Sequence, residues 1–231
     1  MQLPGTPSDE IDDVLATGRG DISALFVSMA TRHPEGADAE YLEWHTLDHR
    51  LEQHRLSAVR ASMRLVSTPE CRAARAVRHD PHDAIDHVMT YFFTDVGGMD
   101  GFLALAKALI GAKRKLPLLP PVERGVYEVH HKSAAPRVKV GADVLPWWPV
   151  KGVYLLLERG DAADDALLDV DGVVGVWSAP AMDVDARLAS AKAGQTITYC
   201  FLDDDPVATA QRLRPALEKR WSDDGMERGG Q

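Results

Sequence analysis

Tyr91-Phe-Phe-Thr-Asp95 closes an extended apolar run and opens into a helical one, and Tyr199-Cys-Phe-Leu-Asp203 does the same later in the chain. Upstream of the first copy, His87-Val-Met-Thr-Tyr-Phe-Phe-Thr94 is rich in β-branched and aromatic residues, the composition of a strand. Downstream, 98–115 carries Phe102, Leu103, Leu105, Ala106, Leu109 and Ile110 at helical spacing, and Pro117, Pro120 and Pro121 end it. Working back, 58–68 alternates Val59, Ala61, Met63 and Leu65 with Arg60, Ser62 and Arg64, and 38–55 reads as a helix capped by Asp38. Strand 21–30, with both faces apolar, comes first, and 125–132 reads as a fourth strand. The order is β-α-β-β-α-β, the ferredoxin-like arrangement.

The second copy repeats this order in shortened form. Strand 150–159, a helix-like stretch 162–169, strands 172–180 and 196–202, and a helix opened by Pro206 and running to Trp221 follow one another, with no room for a fourth strand. Pro215 predicts a kink or early break in that last helix. The sequence therefore predicts an α+β protein of two tandem ferredoxin-like halves, antiparallel sheets with helices on one face, joined into a barrel-like whole. Residues 1–20 form a loose arm, 21–135 the first half, 136–149 a Pro/Trp linker, 150–221 the second half and 222–231 a flexible tail. Trp147-Trp148 in the linker are costly to expose, so they are read as covering an interface between halves or between chains, unless the segment packs as a lid or edge.

Composition narrows the function classes. At 231 residues and a net charge of -9, the chain lacks the clustered basic surplus that phosphate contacts need, which argues against nucleic acid. The basic runs 72–78 and 113–115 read as a solvated loop and a helix end. Two distant cysteines, Cys71 and Cys200, make neither a disulfide scaffold nor a Cys-rich zinc site, and no apolar run reaches the length of a membrane span. The residue pattern has no secretory signal, so the expected location is cytoplasmic.

The chemistry-bearing residues gather on the first helix, Ala39-Glu-Tyr-Leu-Glu-Trp-His-Thr-Leu-Asp-His-Arg-Leu-Glu-Gln-His54. Tyr41, Trp44, Asp48 and Leu51 share one helical stripe, while His45 and His49, four apart, stack beside it. Three readings stand open. The histidines and acids bond to loops or solvent around a Trp44 core; or a near-neutral histidine moves a proton at a substrate, with Asp48 orienting its ring; or His45 and His49 hold a metal whose third ligand the sequence does not place. The cluster His79-Asp-Pro-His-Asp-Ala-Ile-Asp-His87 fits no ligand spacing and reads as a solvated acidic turn. His130 and His131 point to opposite faces of a strand. Gly97-Gly98 is a turn without a phosphate fingerprint, and no nucleophile elbow, Walker A or HExxH motif occurs.

Residues 39–54, with the following strand 58–65 and its arginines, resemble the dimeric α/β-barrel superfamily, in particular its EthD-like and uncharacterised members. The matching positions are Tyr41, Trp44, His45, Asp48 and His49. The sequence departs in having Asp48 where those members carry Glu, in lacking the proline after the histidine, and in having no counterpart of the motif in its second half. The resemblance implies a single pocket in the first half that takes a small apolar or aromatic molecule. It implies cofactor-free lyase, isomerase or monooxygenase chemistry, with His49, then His45, as proton-transfer residue, Asp48 orienting, and Trp44, Tyr41, Tyr91 and Tyr127 lining. No cofactor and no metal are assigned, although distant relatives bind haem. A monomer or homodimer is expected, with no nucleic acid or membrane partner. The alternative is a non-catalytic binding or structural protein with a vestigial site.

Overall fold

The computed structural model describes residues 22–139, 141–160, 165–185 and 189–223. The expected arm, most of the tail and the start of the stretch 162–169 lie outside them. The first half is β1 (Ala24–Ala30), α1 (Asp38–Trp44), a π-helical turn (His45–His49), α2 (Arg50–Gln53), β2 (Val59–Val66), α3 (Pro69–Ala73), β3 (His87–Phe93), α4 (Gly98–Gly111) and β4 (Pro121–Glu128). Its strands pair antiparallel in the order β2-β3-β1-β4, which is the ferredoxin-like order.

The expected strand 125–132 is in fact two. β4 begins earlier, at Pro121, which as an edge-strand residue needs no ladder donor. The chain then crosses at Val129-His130, and β5 (His131–Ala134) joins the other sheet. That sheet continues with β6 (Gly152–Arg159), β7 (Val173–Pro180) and β8 (Gln195–Leu202), followed by α5 (Pro206–Asp223). Its order is β5-β7-β8-β6. The run β7-β8-β6 repeats β2-β3-β1. Among the described residues no strand lies beyond β6, and β5 extends the opposite edge. Where the first half has its long first helix, the described residues of the second show a 3-10 turn, Asp165–Asp169.

The two sheets face one another, and this is where the main core lies. Leu25, Val27, Met29, Ala61 and Phe92 meet Trp177, Ile197, Tyr199 and Phe201, all buried. Ring contacts cross between the sheets from Phe92 to Trp177 and Tyr199, and a 2.6 Å hydrogen bond joins the Thr90 and Tyr199 hydroxyls. The edges close through Tyr127 and Ala181, which form an isolated bridge, and through the Met182 N–H donating to the Val126 carbonyl. Helices cover the outer faces: α4 packs Met99 and Phe102 on Tyr91, Phe93 and Val126, and α5 packs Leu213 and Leu217 on Val176, Cys200 and Leu202.

Register qualifies the sequence echo that suggested two copies. Irregularities recur at matching places, Val59/Ala61 opposite Phe93/Phe92 and Val173/Gly175 opposite Leu202/Phe201. Phe92 is thus equivalent to Phe201, and Thr90 to Tyr199, one residue off the echo. Since neighbouring side chains alternate faces, Tyr91 points outward under the helices while Tyr199 points into the inter-sheet core.

Other expectations are corrected by packing. α5 runs through Pro215 without a break. Pro215 is on its exposed side, where water can reach the carbonyl that the missing N–H would have served. The Pro/Trp segment forms a 3-10 turn, Ala142–Trp147, that drives Leu145 into the main core. Trp148 packs on that core, while Trp147 stays 40% exposed.

The loop 79–87 is exposed only at its start, and of the basic run 72–78 the arginines Arg72 and Arg75 are packed while Arg78 is exposed. Asp86 is buried and pairs with Arg72 and Arg32. Arg75 bonds Asp83, the Ile85 carbonyl and Ser67, and His82 bonds Glu123 at 3.2 Å. The opposite charges are distant in sequence and meet only when the loop folds back. No group of metal-ligating residues occurs among the described residues, and no helix among them is long and apolar enough to cross a membrane.

Candidate functional site

The first helix lies over the outer face of β3. A regular α-helix would bury the stripe Tyr41, Trp44, Asp48 and Leu51. The π turn His45–His49 widens the winding, so residues four apart align instead, and Tyr41, His45, His49 and Gln53 become the buried row. Leu47 and Leu51 consequently face outward, 65% and 54% exposed. Single π turns inside α-helices recur at functional sites because they aim side chains that a regular helix would spread apart.

The aromatic rings form a connected layer. Trp44 stacks on His49 at 5.0 Å, His45 lies 5.5 Å from His49 and 6.4 Å from Tyr91, and Tyr91 meets Phe102 edge-on at 4.9 Å. The Tyr91 hydroxyl and His45 Nε2 are 3.4 Å apart, a long hydrogen bond. From β2, the Arg64 guanidinium lies 5.5 Å from the Tyr41 ring centre.

This layer holds a concentration of buried polar atoms without protein partners: His45 Nδ1, His49 Nδ1, both amide atoms of Gln53, and Nε and Nη2 of Arg64. His87 adds its Nδ1 at the end of the layer near Asp38, while its Nε2 bonds the Asp38 carboxylate at 3.0 Å. Each buried, unsatisfied group costs about 1–3 kcal/mol. Their clustering on one face of a sheet calls for an explanation, since buried polar groups are ordinarily paired.

The electrostatics are cationic and dry. Burial, then the charges of Arg64, His49 and Arg50, push His45 down to about 2. Burial and Lys115 push His49 down to about 4 despite the opposing pull of Asp48. Burial also raises the Tyr91 phenol above its ordinary range. Both imidazoles are therefore neutral, each with a ring nitrogen free to accept or donate.

The sequence-assigned residues divide accordingly. Tyr41, Trp44, His45, His49 and Tyr91 come together. Asp48 does not touch either ring: its carboxylate bonds Arg114 at 2.6 Å, and the stack on Trp44 is what orients His49. Tyr127 lies in the inter-sheet core on the opposite face, where its hydroxyl reaches Glu123 at 3.4 Å. Gly125 permits this pose, for a Cβ there would sit 2.2 Å from the Tyr127 ring. Gln53, Arg64 and His87 were missed as site residues, since each reads alone as an ordinary polar residue on a helix or strand.

What seats the helix is the end of α4. Lys113 adopts φ 57°, its N–H donates to the Ile110 carbonyl, and the Arg114 N–H donates to the Leu109 carbonyl, a Schellman ending with lysine where glycine is usual. This throws Arg114 back onto the first helix. Its carbonyl accepts from Trp44 Nε1 at 3.1 Å, and its guanidinium spans Asp48 and Glu52. Lys113→Gly is expected to stabilise the protein by about 1 kcal/mol in urea unfolding, because only glycine takes this conformation without steric cost. A loss of stability would contradict the assignment.

No family model matches the sequence, and no curated protein matches it. Among solved structures, an anthrone oxidase-like protein superposes over 90% of this chain and 87% of its own, at a TM-score of 0.57 and 11% identity. The fold is α+β, two ferredoxin-like halves with facing four-stranded antiparallel sheets in a barrel-like arrangement within one chain. Two proteins proposed to be monooxygenases, from Lactobacillus acidophilus and Fusobacterium nucleatum, overlap 88% and 87% of the chain at 12% and 8% identity. Each covers its own chain to the same extent, and their TM-scores are 0.45 and 0.47. At these identities the likeness is one of fold alone.

Proposed function

We propose that the chain binds a small apolar or aromatic molecule between its first helix and the outer face of β3, and that it carries out cofactor-free proton-transfer chemistry there. Lyase, isomerase and oxygenase reactions of enolisable or phenolic compounds all begin with such a transfer. The observation that carries the reading is the set of orphaned polar atoms on His45, His49, Gln53 and Arg64, inside an otherwise aromatic layer. The anthrone oxidase-like neighbour agrees with this choice of substrate type.

Of the two histidines, His49 is the better proton acceptor, since its ring is less depressed, about 4 against about 2. His45 and Tyr91 then serve as polar lining that can donate to a developing oxyanion. A vestigial site would leave Trp44 in a filled core with both imidazoles at the surface. Their burial at 3% and 8% exposure argues for the enzymatic reading.

The test is exchange of the acidic C–H of 2-tetralone in D2O, followed by proton NMR. The wild type should accelerate exchange, and His49→Ala should lose roughly a hundredfold, the usual size of a general-base contribution. The thermal midpoint of the variant should stay within about 5 °C, for the substitution removes a stacked ring but also an unsatisfied buried nitrogen. Equal exchange by wild type and variant would remove His49 from the mechanism.

A further inference from the structure

Arg64 is out of place by the rules that govern the rest of the molecule. The chain has 35 acidic against 26 basic residues, and many of its arginines end on a carboxylate: Arg72 on Asp86, Arg75 on Asp83, Arg114 on Asp48 and Glu52, Arg137 on Asp203, Arg212 on Asp204, Arg220 on Glu158. Among the described residues, Arg64 has no ion pair and no hydrogen bond. Its Nε and Nη2 are nonetheless shut away from water and unpartnered. A guanidinium keeps its charge when buried, so it cannot relieve this by losing a proton.

Its position is fixed on both sides. Arg64 stands opposite Met89 in the β2–β3 register, with outward-facing Tyr91 two residues along β3 from Met89. The Tyr41 ring lies against its guanidinium at 5.5 Å. The cation is close enough to both helix-borne imidazoles to help hold them neutral, second only to burial for His45.

We propose that Arg64 is the anchoring residue of the site and binds an ionised oxygen, a carboxylate or a phenolate or enolate, on an otherwise apolar planar ligand. The inference rests on the ligand layer described above and adds to it the charge of the ligand. Nε and one Nη of a guanidinium present two parallel N–H groups, the donor pair that matches an oxyanion. The aromatic rings around it accept the ligand's apolar body, and Gln53 can complete its hydrogen bonding. An acid proton held here lies beside neutral imidazoles, so the same charge that depresses the histidines favours the ionised form of the ligand.

Calorimetric titration with 2-naphthoate, with ionised 4-nitrophenol and with neutral 2-naphthamide tests this on the intact chain and on Arg64→Met, a variant that keeps the stem packed on Tyr41. The wild type should bind at least one of the two anions more tightly than the amide, and which one separates carboxylate from phenolate recognition. Arg64→Met should weaken that anion by roughly 10- to 100-fold, the worth of a charge-assisted hydrogen bond, and leave the amide unchanged. An anion bound equally well by both proteins overturns the role of Arg64 while the ligand layer stands. Absence of binding by all three to the wild type overturns the layer and the anchor together. Should Arg64→Met fail to fold, Arg64→Lys, which retains the charge but not the paired donors, is read by the same criterion.

Discussion

Trp177→Ala is expected to destabilise the protein by about 3–5 kcal/mol, the usual cost of truncating a buried aromatic. Trp177 is fully buried between the sheets. Its ring meets Phe92 and Phe201 edge-on and faces the Lys132 ammonium at 4.8 Å. Its Nε1–H donates to the Ala142 carbonyl at 3.1 Å. The side chain thus ties both sheets to the 3-10 turn that carries Leu145, and its close-packed aromatic neighbours cannot collapse into the cavity left behind. Urea unfolding measures the loss. A change below about 1 kcal/mol would mean the inter-sheet core is not packed as described.

The second large effect is a fall in stability with acid that begins above the carboxylate range. His45 and His49 have folded values of about 2 and about 4, depressed first by burial, against 6.5 for a free imidazole. Above pH 6.5 both are neutral whether the chain is folded or not, so their burial then carries no protonation penalty. As pH falls below 6.5 the unfolded chain takes up protons that the folded chain refuses, and stability drops. Each group contributes about 1.4 kcal/mol per pH unit at full difference. Both act between pH 6.5 and about 4, and His45 alone continues below that. For Asp38 and Glu123 burial works upward, but hydrogen bonds from the His33 N–H and His87, and from His82 and Gln195, hold both carboxyls low. Their losses begin only as pH falls into and below the ordinary carboxylate range. Unfolding free energies at a series of pH values should show the early slope, and His45→Gln should reduce it between pH 6.5 and 4 without abolishing it, because His49 and His54, both lowered first by burial, still contribute. A profile that stays flat there, or a slope the substitution does not change, would show that the rings are hydrated.

The strands and the ferredoxin-like order were legible because alternation and β-branched content act locally, within a single segment. Face assignments between strands were not. A one-residue offset reverses which side a residue occupies, and nothing within a strand reveals it. Tyr127 was placed with the site for this reason, and Tyr91 was aligned with Tyr199. The first helix was legible as a helix and as the bearer of the site, yet its buried row was not: the stripe Tyr41, Trp44, Asp48 and Leu51 follows regular winding, whereas the π turn brings Tyr41, His45, His49 and Gln53 inward. The partners of Asp86 were hidden for another reason: Arg32 and Arg72 lie in separate segments, and their convergence depends on tertiary folding. Arg64 could have been singled out by one signal, its place among the polar residues of a strand that alternates with Ala61, Met63 and Leu65.

The hydroxyl contact between Thr90 and Tyr199 joins two sheets that one polypeptide supplies. Closing the barrel is therefore an internal event, governed by the length of the connecting chain and not by encounters between separate molecules. Dilution cannot separate these two sheets, because a single polypeptide carries both. The two sheets are also free to differ in sequence, so one outer face can keep buried imidazoles and a guanidinium under a long helix while the other is sealed with Leu213 and Leu217.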